Sequence, residues 1–138
     1  SLDLFGGTGS ISYELASRGV PDLTIVEKDN QMFSFIKKTA EALKLENIKL
    51  VKSDVFKFIE STDQQFDFIF AGPPYALQNI DDLPRLVVEK ALLKAEGWFV
   101  LEHTPRNDYH TFPLFKMARN YGTTIFSFFV NDTDTAGK

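Results

Sequence analysis

The chain contains no cysteine, which excludes a disulfide framework and a thiolate zinc site. It has only two histidines, His103 and His110, too few to make a zinc site by themselves, so no metal is expected. No apolar run approaches the roughly 18 residues of a membrane span, and nothing at the start reads as a signal peptide, so neither membrane nor secretion is expected. A cytoplasmic location follows as the expectation. A basic excess is also missing: 15 Lys and Arg stand against 19 Asp and Glu, for a net charge of -4. Composition alone therefore shows no broad phosphate-binding face. An initiator Met is absent too, and the sequence opens inside a strand-like run. It reads as a fragment without its N-terminal segment, where a basic footprint could reside.

What is present fits one soluble domain spanning residues 1–138. The length is 138 residues, with 43% hydrophobic and 25% charged residues, ordinary for a globular domain that buries roughly 68% of its unfolded surface. Strand-like and helix-like segments alternate. Leu2 to Phe5 is a short apolar strand, Gly6, Gly7 and Gly9 form a turn, and a helix is predicted from Ser10 to Arg18. Leu23 to Val26 reads as a second strand ended by Glu27. Met32, Ile36, Ala40 and Leu43 mark one face of the next helix. Ile48 to Val51 reads as a third strand, followed by Ser53-Asp54 and a short helix. Phe66 to Ala71 is almost wholly apolar, as expected for a central parallel strand buried on both faces. A longer helix marked by Ile80, Leu83, Val87 and Ala91 precedes Gly97 and a strand over Trp98 to Leu101. Phe115 to Tyr121 and Thr124 to Val130, joined by Gly122-Thr123, must be antiparallel, because a parallel pair needs a long crossover. Asn131 to Lys138 is a polar tail. The pattern predicts a doubly wound, mostly parallel α/β sheet of seven strands ending in an antiparallel hairpin.

In such a sheet the ligand sits beyond the carboxyl ends of the strands. Three acidic residues fall at or beside such ends: Asp3 before the glycine turn, Glu27 after the second strand and Asp54 after the third. S-adenosylmethionine (SAM) offers a ribose diol, an adenine amino group and a cationic amino-acid end. Glu27 can accept both ribose hydroxyls, Asp54 the adenine amine, and Asp3 the ammonium, while Gly7 and Gly9 allow close backbone approach. The same residues also admit plainer roles. Asp54 can cap the following helix, Glu27 can be a solvated strand end, and the glycines can be only a tight turn. The spacing GGTG differs from G-x-G-x-x-G, which counts against NAD.

Ala71-Gly72-Pro73-Pro74-Tyr75 follows the most apolar strand. Two prolines fix a rigid loop that can present backbone carbonyls, and Tyr75 can stack on an extruded base. Methylating an exocyclic amine needs acceptors on its N–H groups, so that its lone pair faces the methyl donor. The plainer alternative is a proline turn with a core tyrosine.

LDLFGGTGS, SRG, VEKD, SDVFKFI and FDFIFAGPPY, in that order, make the chain resemble the bacterial 16S rRNA guanine-N2 methyltransferases, the RsmD-type methylases. The resemblance implies a Rossmann-like class I SAM-dependent methyltransferase. It would transfer methyl to the 2-amino group of a guanine in the small ribosomal subunit or its assembly intermediate, with S-adenosylhomocysteine (SAH) as product. It further implies that Asp3, Phe5, Gly7, Gly9, Glu27, Asp54 and Val55 bind the cofactor, and that Gly72, Pro73, Pro74 and Tyr75 form the target-base loop. The family's usual Asp or Asn in that loop is Gly72 here, which leaves the carbonyls of Gly72 or Pro73 as acceptors. Alternatives are an amino-methyltransferase acting on DNA adenine or a protein amide, a non-catalytic SAM- or RNA-binding module, and a nucleotide-binding dehydrogenase domain. Glu102 and His103, after the fifth predicted strand, could line the substrate side, although a hydrogen-bonded surface His is the favoured reading. Phe126, Phe128 and Phe129 are expected in the core.

Overall fold

The computed structural model describes residues 1–7 and 10–132. It resolves into two compact units, Ser1–Phe58 and Ile59–Lys138. The expected seven-stranded, mostly parallel α/β sheet is what forms. The expectations for Gly9 and for most of the polar tail fall outside the described residues.

In the first unit, β1 (Leu2–Leu4), α1 (Ser10–Ser17), β2 (Leu23–Glu27), α2 (Asn30–Ala42) and β3 (Ile48–Lys52) follow in order, and α3 (Val55–Ser61) begins. The strands are parallel in the order β3-β2-β1, with Leu2 opposite Thr24 and Leu23 opposite Ile48. Leu2, Leu4, Leu23, Ile25, Val26 and Ile36 are buried, which is what near-continuous apolar strands covered by helices require. Asp29 starts α2: its Oδ2 accepts the Met32 N–H at 2.9 Å. Of the face expected on this helix, only Ile36 is buried, whereas Met32 is 38% and Leu43 56% exposed. Leu43 is the helix cap and Lys44 turns into the left-handed region at φ 56°, so the apolar periodicity outlasts the helix.

In the second unit, β4 (Phe66–Ala71), α4 (Asp82–Glu89), β5 (Leu93–His103), β6 (Phe115–Tyr121) and β7 (Thr124–Val130) run in sheet order β4-β5-β7-β6. β4 and β5 are parallel, and β7 is antiparallel to both β5 and β6. The hairpin has the predicted ends, with Gly122 at φ 66° in its turn. Phe129 is the centre of the core here. It stacks on Phe99 at 5.3 Å and meets Tyr109 and Phe115 edge-on at 6.2 and 5.9 Å. Phe126 and Phe128 are half-buried.

Two elements differ from the sequence reading by more than one residue at an end. The helix expected to reach Ala91 ends at Glu89, because Ala91 adopts a left-handed φ of 50°. The fifth strand is far longer than Trp98 to Leu101, and Gly97 lies inside it. There β5 bulges. Phe66 pairs with Leu93 and Phe68 with Trp98, so one residue between the pairs on β4 faces four on β5. Asn131 clips the bulge, donating from Nδ2 to the Leu93 carbonyl at 3.0 Å and from its N–H to the Gly97 carbonyl at 2.9 Å. A Cβ on Gly97 would lie 2.9 Å from the Lys94 carbonyl and 3.2 Å from those of Asp67 and Phe66. All three are backbone and cannot yield. Gly97→Ala should therefore destabilise the protein by about 1–3 kcal/mol, read as a lower urea midpoint; an unchanged midpoint would contradict the packing described.

Candidate functional site

The glycine turn after β1 is built by two constraints. Phe5 and Gly7 both take left-handed backbone, at φ 64° and 56°. For Gly7 this costs little, but Phe5 carries a strain of about 1–3 kcal/mol that the surrounding structure must hold. Between them Gly6 donates its N–H to the Val26 carbonyl at 3.0 Å, continuing the β1–β2 pairing. A Cβ on Gly6 would stand 2.6 Å from Ile25 Cγ2 and 3.1 Å from Ile36 Cδ1. The sequence marked Gly7 and Gly9 as cofactor glycines. Gly6, whose missing side chain lets α2 close over β2, carried no signal beyond its place in the run.

Glu27 ties this turn to the rest of the unit. Its Oε1 accepts the Gly7 N–H at 2.8 Å and its Oε2 the Asp29 N–H at 2.9 Å. The Glu27 carbonyl accepts the Ser53 N–H at 3.3 Å. One half-buried residue thus joins the β1 turn, the start of α2 and the end of β3. It is not the merely solvated strand end the sequence also allowed. An ionised carboxylate has about four lone-pair sites, and donors among the described residues take two of them.

The other acidic positions divide. Asp3, within β1 opposite Ile25, is 3% exposed. Asp54 caps α3, its Oδ2 accepting the Lys57 N–H at 3.1 Å, so the plainer reading of Asp54 holds. Its second oxygen accepts no hydrogen bond among the described residues. Val55, the first residue of α3, is buried. Asp3, Phe5, Gly7, Glu27, Asp54 and Val55 all lie in the first unit.

The Gly72-Pro73-Pro74-Tyr75 loop leaves the carboxyl end of β4 in the second unit. Pro73 is buried and Pro74 exposed. Tyr75 is 52% exposed, so the alternative of a core tyrosine fails. Its hydroxyl donates to Glu102 Oε2 at 3.1 Å and lies 3.1 Å from Thr124 Oγ1. The ring is therefore anchored at its polar tip with its body open to solvent.

His103 is buried, 1% exposed, rather than at the surface. Its Nδ1 donates to the Thr104 carbonyl at 2.8 Å, and its Nε2 is hydrogen-bonded to the Ser127 hydroxyl at 2.7 Å. With both nitrogens engaged and Tyr109 packed edge-on at 4.8 Å, His103 is structural. Tyr109 donates to Asp81 Oδ1 at 2.8 Å. Burial pushes its hydroxyl well above the ordinary tyrosine value, and the bond to Asp81 adds to the shift. Cavities of about 450 Å³ against α2 and β3, and about 480 Å³ beside α4, contain none of the expected site residues.

Residues 1–130 match the protein family described as conserved hypothetical protein 95. The chain is similar to the ribosomal RNA small subunit methyltransferase D of Escherichia coli, 25% identical over 112 residues, 81% of this chain and 57% of that protein. It is also similar to the release factor glutamine methyltransferase of Shewanella oneidensis, 40% identical over 75 residues, 54% of this chain and 26% of that protein. Among solved structures, SMU.776, complexed with SAH, superposes with a TM-score of 0.75 at 19% identity, covering 94% of this chain and 44% of the other. The chain spans little more than half the length of the small-subunit relative.

The Glu27 geometry makes a direct prediction. Glu27→Ala leaves the Gly7 and Asp29 N–H groups without their acceptor and should lower stability by about 1–3 kcal/mol with no ligand present. Glu27→Gln, which keeps one acceptor oxygen, should fall between. Urea denaturation reads both, and a wild-type midpoint for the alanine variant would remove Glu27 as the tie.

Proposed function

This chain belongs to the conserved hypothetical protein 95 family, the RsmD family, and we propose that it is a SAM-dependent methyltransferase domain acting on ribosomal RNA of the small subunit. The finer proposal is methyl transfer to the 2-amino group of a guanine in 16S rRNA, presented on the subunit or an assembly intermediate. Such a substrate implies a cytoplasmic site of action. No helix among the described residues is long and apolar enough to cross a membrane.

The observation that carries the proposal is Tyr75, half-exposed beside two prolines and held by its hydroxyl on Glu102. A fixed, solvent-open aromatic ring is a stacking platform for an unpaired base, a contact worth about 1–3 kcal/mol. The residues of the first unit fit the cofactor. Among the described residues Glu27 accepts two hydrogen bonds, which leaves lone pairs of its carboxylate to face the ribose hydroxyls, and Asp54 has an oxygen not used in capping there. Among the described residues, a Cβ added at Gly7 would meet the Phe5 carbonyl alone, at 3.8 Å, which allows a ligand to approach the turn. Bound there, SAM supplies a methyl group activated by a sulfonium. The chain's own part is to fix the base, accept the N–H groups of the amine and align its lone pair.

A second reading has a specific support. The relative with 40% identity is a release factor glutamine methyltransferase, and a glutamine side chain carries an amide, another planar nitrogen that a proline loop can hold. Labelled methyl transfer separates the two. The proposal expects label in small ribosomal subunits from undermethylated cells, recovered as N2-methylguanosine, and little in release factor or naked DNA. Label confined to release factor would contradict it. Tyr75→Ala should cut transfer about 10- to 100-fold and leave SAH affinity unchanged; loss of SAH affinity instead would move Tyr75 out of the base-stacking role.

A further inference from the structure

Gly72 leaves the target amine without the side-chain acceptor that an Asp or Asn would give. Backbone carbonyls were the expected substitutes. The structure offers a stronger group. The parallel register of β4 and β5 pairs Ala71 with Leu101, so Gly72, just past the end of β4, lies beside Glu102, which is still within β5. The Glu102 side chain turns toward the loop: a Cβ built on Gly72 would stand 3.5 Å from Glu102 Oε1. The carboxylate therefore occupies space that a side chain at position 72 would enter. It is also oriented, since Oε2 accepts the Tyr75 hydroxyl at 3.1 Å. Oε1 accepts no hydrogen bond among the described residues, and Glu102 is half-buried, where an anionic acceptor is stronger than in water.

We infer that Glu102 supplies the acceptor missing at Gly72, binding an N–H of the planar amine that Tyr75 holds; this rests on the amino-methyltransferase reading above. During transfer the amine lone pair forms the new N–C bond, while the C–S bond of the methyl donor breaks and its electron pair stays on sulfur. The nitrogen, now cationic, must lose one proton. Glu102 Oε1 takes it and releases it to water. A backbone carbonyl could accept the hydrogen bond but not the proton. The gap at Gly72 is thus a consequence of geometry: two carboxylates in this space would repel, so the loop carries one, borrowed from β5.

The test is methyl transfer by the full chain, with SAH affinity and thermal midpoint measured alongside. E102A should lose about a hundredfold in rate, the scale of a positioned proton acceptor, with SAH affinity unchanged. E102Q keeps an acceptor oxygen and the Tyr75 contact but cannot take the proton, and should also lose about a hundredfold. If the alanine variant folds poorly, E102Q still decides. G72D should lower the rate by placing a second carboxylate beside the first and pressing on Phe70, whose Cε2 would lie 3.1 Å from the new Cβ. G72D/E102A should recover about tenfold over E102A, because its carboxylate enters the same space. A wild-type rate in E102A, or no recovery in the double variant, overturns the assignment. The ratio of variant to wild type is read on whichever amine the wild type methylates, rRNA or amide. Wild-type activity on the amide alone overturns the substrate reading and leaves that ratio to decide on Glu102. Inactivity on both overturns the two together.

Discussion

The carboxylate of Glu27 is the interaction on which the first unit's site depends. Phe5 sits in a left-handed conformation that costs free energy, and Gly7 needs the same region two residues on. Nothing local in a Leu-Phe-Gly-Gly run enforces that path. It is enforced from the end of β2, where one carboxylate receives N–H groups from Gly7 and from Asp29. Charge-assisted bonds of this kind contribute about 1.5–3 kcal/mol each, enough to offset the strain at Phe5. Gly6 completes the arrangement by its lack of a side chain, which lets Ile36 of α2 reach Ile25. The strain, the close packing and the acceptor are one device. It sets a carboxylate, with two of its lone-pair sites used among the described residues, beside the glycine turn.

The second unit depends on register. A strand shifted by one residue turns every side chain to the other face, and the Gly72–Glu102 adjacency requires Ala71 to face Leu101. That register is set upstream by the bulge around Gly97, which takes up the extra residues of β5 before Trp98, and by the Asn131 clip that holds it. Tyr75 and Glu102 are 27 residues apart in sequence, yet their contact is the direct result of a parallel pair with its slack taken up in one place.

Much of this was legible in the sequence. The terminal hairpin was readable to the residue, because a two-residue Gly-Thr turn between alternating runs leaves one solution. The strand Phe66–Ala71 was equally plain, but its burial on both faces was not borne out: Asp67 is exposed and Phe68 and Phe70 are only half-buried. The helix that stops at Glu89 was not, since Ala91 gives no warning of a positive φ, and the long β5 was hidden by a glycine that normally ends a strand rather than bulging within it. Among site residues, the types and spacing singled out Glu27 and Tyr75, but not how they are held. Asp54 proved to be a helix cap, a role its sequence position also allowed. Glu102 was noticed only as a residue at a strand end. Its contact with the proline loop depends on a register that no local pattern states, and His103 beside it is fully engaged inside the core.

The central claim is that the ends of β1, β2 and β3 form a site for SAM rather than for a dinucleotide. Calorimetric titration of the chain with SAH and, separately, with NAD tests it most directly. The account predicts a one-to-one enthalpic binding isotherm with SAH and none with NAD. Binding of NAD with no detectable SAH binding would contradict it.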